Sequence, residues 1–338
     1  MPKVSVLVAV YNTKQYLSQC LDSLLRQTLR DIQIICIDDA STDGSDLLLK
    51  QYADKDSRII VLSNETNQGP SNSRNQGITH ATGEYMCFLD SDDWFDDDAL
   101  EKMVTVMESE DSIDSVLFRL VKHYEGTGVV EQFKNDIDGV LTGEEAFLKS
   151  INWNIHGVAL TRTDLFRTIP FDTTCRYNSG DNSVRIQYLH SRKVAQGDGV
   201  YNYRRFADAG TIKISIHTFD HIIANLALKT TIEKEYAKGL MRERVYEEAR
   251  QTLELMRFYN LLGAYRKRYI YRQAFSKEEH QEIERRIRLV LSSLNPQLIP
   301  LKRRCKFGYW LINNYQLMTL QENIFSALRK IIGFLSHQ

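Results

Sequence analysis

Tyr85-Met86-Cys87-Phe88-Leu89-Asp90-Ser91-Asp92-Asp93-Trp94 is an apolar run of strand length that ends in three carboxylates. In a parallel sheet, ligands gather outside the carboxyl ends of the strands, so this is where converging side chains act on a bound molecule. Carboxylate oxygens at such a place suit a hard divalent cation, Mg²⁺ or Mn²⁺, which can neutralise a diphosphate that bare carboxylates would repel. Taken alone, Asp90-Ser91-Asp92-Asp93 also reads as an acidic surface turn, so its neighbours decide.

Upstream, Val4 to Val10 is β-branched and apolar almost throughout, the pattern of a strand covered on both faces. Tyr16 to Leu25 then shows a helical period, and Gln33 to Ile37 reads as a second buried strand. That strand closes on Asp38-Asp39-Ala40-Ser41-Thr42-Asp43-Gly44-Ser45, a loop rich in capping and turn residues. A helix from about Ser45 to Asp54 and a strand from Arg58 to Leu62 repeat the unit. Strands alternating with helices at this spacing predict an α/β fold, a Rossmann-like, mainly parallel sheet with flanking helices. Tyr11, Asp39, the 67–77 loop and Asp90 with Asp92 all fall at carboxyl ends, so four loops meet on one rim. Each has a plainer reading: Tyr11 as an aromatic lid on the core, Asp39 as a helix cap, 67–77 as a simple connection.

Bulk composition is that of a globular chain of 338 residues with net charge −1, but the charge is graded. Residues 1–120 hold 10 basic against 21 acidic side chains, residues 121–219 hold 12 against 11, and residues 220–338 hold 21 against 12. The acidic end cannot by itself attract nucleic acid or a nucleoside diphosphate, so a phosphate ligand there needs a cation. The five cysteines, at 20, 36, 87, 175 and 305, have no zinc or disulfide spacing. The amino terminus runs straight into a strand pattern and no uncharged run is long enough to span a bilayer, so a cytoplasmic location is expected, with the inner face of the cell membrane as an accessible surface.

The segments Val4 to Asn12, Asp38 to Ser45, Asn67-Gln68-Gly69-Pro70-Ser71-Asn72-Ser73-Arg74-Asn75-Gln76-Gly77 and Phe88 to Trp94 resemble the successive signatures of family 2 glycosyltransferases with the GT-A fold. The resemblance covers about the first 120 residues. It implies that Asp39 accepts a hydrogen bond from a uracil ring, that Tyr11 packs on base and ribose, and that Asn67 and Arg74 line the nucleotide cleft. Asp90 would reach the ribose or a metal-bound water, and Asp92 would bind the cation (Mn²⁺ or Mg²⁺) that bridges the phosphates. Asp93 reads as a helix cap.

Further on, Thr142-Gly143-Glu144-Glu145 opens a helix with capping residues. Trp153 to Arg162 resembles the family's aromatic stretch leading into a strand beside the donor sugar; Trp153 could stack on an acceptor sugar or simply be a core tryptophan. Many family members carry Glu-Asp, the Asp being the catalytic base, where this chain has Gly180-Asp181. Asp181 is therefore the base candidate, with a helix amino cap as its other reading. Tyr201-Asn202-Tyr203-Arg204-Arg205 resembles a family strand whose basic end, Arg204 and Arg205, can approach the diphosphate.

The expected organisation is a catalytic domain over 1–219, with 1–120 binding a nucleotide-sugar donor, UDP-linked by expectation, and 121–219 contributing catalysis and acceptor contacts. A helical carboxyl-terminal region follows over 220–338. The expected reaction is inverting transfer to a glycan or lipid-linked acceptor in surface-polysaccharide synthesis. Basic and aromatic residues over 300–335 can lie on an anionic leaflet or pack on a second subunit in a homo-oligomer. A sugar nucleotidyltransferase would want a Gly-rich phosphate loop after the first strand, which Tyr11-Asn12-Thr13-Lys14 lacks. A non-catalytic nucleotide- or sugar-binding module, and a helical scaffold anchored by the first domain, are the readings from other classes.

Overall fold

The computed structural model describes residues 1–206, 214–305 and 315–335. The chain opens in alternation: β1 (Val4–Val10), α1 (Lys14–Leu25), β2 (Ile32–Asp38), α2 (Ser45–Ala53), β3 (Ile59–Ser63), α3 (Pro70–Ile78) and β4 (Tyr85–Phe88). After β5 (Trp94–Phe95) come α4 (Ala99–Glu108), β6 (Ile113–Glu125), β7 (Val129–Gln132), β8 (Val140–Thr142), α5 (Gly143–Ile151), β9 (Ala159–Arg162), α6 (Thr163–Thr168), α7 (Gly180–His190) and β10 (Lys193–Phe206).

One sheet runs in the order β3-β2-β1-β4-β9-β6-β10-β5, with β7 on β6 and β8 on β10. β1 is parallel to β2 and β4, and β2 to β3. β9 intercalates antiparallel between β4 and β6, while β6 and β10 are parallel to each other. Successive residues of β1 point to opposite faces, and both faces are covered. Val4, Val6, Val8 and Val10 join Leu17, Cys20, Leu21 and Leu24 of α1 in one cluster. Leu7 joins Ile35, Ile37, Ile78, Met86 and Phe166 in another. Two buried faces are why the strand is apolar without alternation. Because β1 has β2 on one side and β4 on the other, the winding reverses between β1 and β4, and the crevice opens at their carboxyl ends.

Two compact units divide the chain. The first is Met1–Arg176 with Gly180–Thr211, and the second is Tyr177–Ser179 with Ile212–Gln338, so the division falls ahead of 219 and the 177–179 segment joins the second unit. That unit is helical: α8 (Asp220–Ala237), α9 (Glu243–Ile270), α10 (Lys277–Ser292), α11 (Leu301–Cys305) and α12 (Tyr315–Leu335). Its core holds Phe219, Ile222, Phe258, Leu261, Tyr265, Ile283, Ile287, Val290 and Met318. A fully buried ion pair, Arg257 to Glu254 at 2.5 Å, lies on one face of α9. Of the basic and aromatic residues expected over 300–335, those at 306–314 lie outside the described residues. Among the described residues no helix is long and apolar enough to cross a membrane.

Candidate active site

The crevice is built from loops stitched to one another by short polar side chains. At the end of β1, Tyr11 is 46% exposed, which removes the core-lid reading. Asn12 follows at φ 52, a left-handed conformation that Asn tolerates. Its Oδ1 accepts from the Thr42 amide at 2.7 Å, and its own amide donates to Ser41 Oγ at 3.1 Å, so β1 is tied to the loop after β2.

Asp39 is 3% exposed. Its carboxylate accepts from Asn64 Nδ2 at 2.8 Å, the Gln68 amide at 2.9 Å and the Gly69 amide at 2.8 Å. It caps no helix; α2 begins at Ser45. Gly69 stands at φ 88, where a side chain is strained, and Pro70 then opens α3 at the position where a missing N–H is harmless. Asp39 thus fixes the 64–69 loop, and Oδ2, with one internal donor, keeps a lone pair for a ligand. Asp39→Ala leaves three donors without an acceptor, and the expected cost is about 3 kcal/mol, read as a lower Tm in a thermal melt.

Beyond β4, the acidic residues have separate environments. Arg74 of α3 is buried with its guanidinium 4.2 Å above the Phe88 ring, and its Nη2 donates to Asp90 Oδ1. Arg74 Nε has no partner. Asp90 is therefore committed on one oxygen to a cation from its own chain, which weakens it as a metal ligand. Asp93 is buried and accepts from Tyr201 Oη and the Arg204 amide, each at 2.7 Å. The helix-cap reading of Asp93 is corrected: β5 intervenes and α4 starts only at Ala99, so Asp93 ties β10 to the acidic loop. Burial, then the Asp90 and Asp92 charges, push its carboxyl well above the usual range.

Among the described residues no cationic side chain forms an ion pair with Asp92, although the Arg204 charge draws its pKa down somewhat. It is half-buried, and burial followed by the Asp90 charge pushes it up to about 6. Three carboxylates crowd this loop while Arg74 engages only Asp90, so the local field favours a cation beside Asp92. Among the described residues no group of three or more His, Cys, Asp or Glu side chains converges as a complete metal site. The residues present for a cation of the Mg²⁺ type, which is commonly held by one or two carboxylates, are Asp92 and, more weakly, Asp90.

Asp181 sits in the first turn of α7, not at its cap, because the helix begins at Gly180. Burial raises its pKa, against the pull of Arg185 and Arg74; the Asp90 charge raises it further. A Cβ on Gly180 would lie 3.4 Å from Ser71 Oγ, so the first turns of α7 and α3 approach closely. The Asn75 side chain of α3 holds the backbone of Phe171 through both its atoms, accepting at 2.7 Å and donating at 2.8 Å. This draws in Arg176, which donates to Asn67 Oδ1. Asn67 Nδ2 is buried without a partner. No local signal marks Arg176 in the sequence; its contact crosses about a hundred residues.

Trp153 is not a core tryptophan: it is 48% exposed, with the Arg185 guanidinium 5.1 Å from its ring centre. The expectation that Arg204 reaches a diphosphate meets a different arrangement. Its side chain is only 12% exposed, lies between the rings of Tyr16 and Trp94, and donates to Gln19 Oε1 and the Asp92 carbonyl. A cation so engaged is a brace. Arg205 is exposed, over the ring of Tyr203, whose hydroxyl feels the charges of Asp90 and Asp93.

The Glycosyl transferase family 2 model matches residues 5–169, the span from β1 to the end of α6. Glycosyltransferase GlyG of Streptococcus pneumoniae serotype 4 is 27% identical over 306 residues, 85% of this chain and 95% of that one. The poly(ribitol-phosphate) beta-glucosyltransferase of Bacillus spizizenii is 41% identical over 130 residues, 38% of this chain and 20% of that protein. In three dimensions, S. aureus TarS 1-349, solved in complex with UDP, superposes with a TM-score of 0.67 at 19% identity, covering 99% of this chain and 92% of that one. With this match over its crevice-forming segments and this likeness of fold, residues 5–169 are a glycosyl transferase family 2 domain, and the chain has the GT-A fold.

Proposed function

We propose that this glycosyltransferase is metal-dependent and inverting, taking a sugar from a UDP-linked donor and passing it to a glycan or lipid-linked acceptor in surface-polysaccharide assembly. The observation that carries the reading is the close approach of the first turns of α7 and α3, which brings Asp181 within electrostatic reach of the Arg74–Asp90 pair, with Asp92 on the same acidic loop. The nature of the relatives supports the rest: GlyG and the ribitol-phosphate enzyme are glycosyltransferases, and TarS was solved with UDP.

In this reading the uracil sits against Asp39 and Tyr11, with Asn67 and Arg74 along the cleft. The free donors on Asn67 Nδ2 and Arg74 Nε suit the carbonyl and phosphate oxygens of such a ligand. Asp92, with Asp90 as a weaker partner, would hold the cation, which when bound supplies charge neutralisation to the departing diphosphate. Arg205, exposed on β10, would approach that group. The acceptor hydroxyl attacks the anomeric carbon while its proton passes to Asp181, the C–O bond to the diphosphate breaks, and the leaving oxygen takes the electron pair. With a single base opposite the leaving group, displacement inverts the anomeric centre. Trp153 is the proposed acceptor platform.

The raised pKa of Asp181 has a kinetic consequence. The base works only when deprotonated, so activity should fall as pH drops through a value above the ordinary 3.8 of an aspartate. A kcat profile whose acid limb lies at or below 3.8 would remove Asp181 from this role. Residues 1–120 would serve the donor, 121–219 the acceptor and catalysis. The second unit would dock on a leaflet or a second copy through exposed Leu320, Ile324 and Leu328 of α12. The reading as a whole is tested by incubating the full chain with Mn²⁺ and UDP-, GDP- and CMP-sugars in turn. Nucleotide release from a UDP-sugar is expected; release only from GDP- or CMP-sugars would overturn the uracil assignment to Asp39.

A further inference from the structure

The segment that closes α5 carries a residue out of place. Asn152 ends the helix and Trp153 follows at φ 62, a left-handed conformation that bulky side chains rarely adopt. Two backbone bonds hold it there: the Trp153 amide to the Ser150 carbonyl at 3.3 Å and the Asn154 amide to the Lys149 carbonyl at 2.9 Å. This is the paired pattern of a Schellman helix end, whose left-handed position is ordinarily glycine. An aromatic there is strained relative to glycine and, at 48% exposed, gives no core burial in return, so what the strained turn does is present the ring.

Arg185 is what the ring rests on. It is 6% exposed on α7, its Nε donates to the Ser150 carbonyl at the end of α5 at 3.3 Å, and its Nη1 donates to Asn182 Oδ1 at 3.1 Å. A cation on the last carbonyls of α5 opposes the negative end of that helix. One helical turn back on α7 stands Asp181, the acidic group whose charge acts on Arg185 and offsets its burial. The remaining groups whose charges act on Asp181 are Arg74 of α3 and Asp90 of the loop after β4. A single guanidinium therefore contacts the strained platform, the end of the helix that presents it, and the helix turn that carries the base candidate.

We propose that Arg185 is a positioning residue for the transfer reaction, setting the Trp153 platform and Asp181 at one fixed separation so that an acceptor ring stacked on the indole delivers its hydroxyl to the carboxylate. The inference rests on the assignment of Asp181 as base. Arg185 touches neither donor nor acceptor; it acts through the indole it lies against and through the turn of α7 that carries Asp181, which it bonds at Asn182. The ligand class implied at Trp153 is a pyranose presented on its apolar face, flanked by the exposed amides of Asn152 and Asn154.

The test uses two probes that need no knowledge of the natural acceptor. Release of UDP from UDP-glucose and UDP-GlcNAc, with water as acceptor, reports on Asp181, and acrylamide quenching reports on Trp153, its contribution assigned with Trp153→Phe. In the full chain, Arg185→Met should lower kcat for UDP release about tenfold or more, leave the donor KM within about twofold, and raise quenching of Trp153. Arg185→Lys keeps the charge beside Asp181 but not the planar fork, so kcat should recover to within about threefold while quenching stays high. Where the methionine variant does not fold, the lysine variant carries the test alone, and wild-type quenching in it overturns the proposal. Unchanged kcat in Arg185→Met, or a lysine variant no better than methionine, also overturns it while the glycosyltransferase reading stands. If the wild type releases UDP and Asp181→Asn releases it equally fast, the base assignment falls and takes this inference with it.

Discussion

Asp181→Asn should lower transfer by a factor of about 10²–10⁴ while sparing nucleotide binding, because a general base contributes about that much and Asn keeps the shape without accepting the proton. The size of the loss follows from the site's construction. Asp181 is raised above its ordinary pKa by burial, so the carboxylate is a stronger base than one in water, and the charges of Arg185 and Arg74 pull against that rise. Its removal has a second consequence that must be separated from catalysis. Arg185 is buried and its charge is offset by Asp181, so the Asn variant strands a cation and should melt at a lower temperature. Titration of UDP by calorimetry below that temperature distinguishes the two effects: wild-type affinity with lost turnover fits the base role, and lost affinity fits collapse of the α7 turn. Retained transfer would move the base elsewhere.

Asp92→Ala should abolish cation-dependent donor binding and lower turnover by a factor of about 10³ or more, since neutralisation of a departing diphosphate is worth several kcal/mol. Thermal melts give an independent reading. The Asp92 carboxyl is pushed up to about 6 in the folded state by burial and Asp90, against an unfolded value of 3.8. A folded pKa above the unfolded one means that its contribution to stability is present below about 4 and is lost as pH rises toward 6, a cost of about 1–2 kcal/mol once solvent screening is allowed for. A cation on Asp92 cancels that cost. Mn²⁺ should therefore raise Tm at pH 8, where the carboxylate is charged, and hardly at pH 4, where it is not. Metal-free Asp92→Ala should melt no lower than wild type at pH 8 and show no Mn²⁺ shift. A full Mn²⁺ shift in that variant would put the cation on other residues.

The parts of the fold that the sequence carries openly are those with local causes. Val4 to Val10 is readable because both its faces are buried, and the 142–145 capping residues are readable because the box closes on itself, Thr142 Oγ1 accepting from the Glu145 amide. What stayed hidden depends on partners far along the chain. β9 is a four-residue strand with no periodicity of its own; the resemblance points to a strand there, but its place between β4 and β6 is fixed by partners from elsewhere in the chain. Arg204 looked like a basic strand end free to meet a phosphate, but Tyr16, Gln19 and Trp94 enclose it. Asp39 follows directly on β2, as the strand pattern implies, yet its three internal donors come from a loop 25 to 30 residues on, and they make it a structural anchor whatever else it binds. Arg176 and the strained turn at Trp153 are visible only in three dimensions, since the first needs the Asn75–Phe171 link and the second a backbone angle.

Donor class, turnover and stereochemistry can be read together by proton NMR of the full chain with a UDP-sugar, Mn²⁺ and water or a simple glycoside as acceptor. Single displacement by one base predicts release of UDP from an α-linked donor with the β anomer as the first-formed product. First appearance of the α anomer, or no release of UDP from any UDP-sugar, would contradict it.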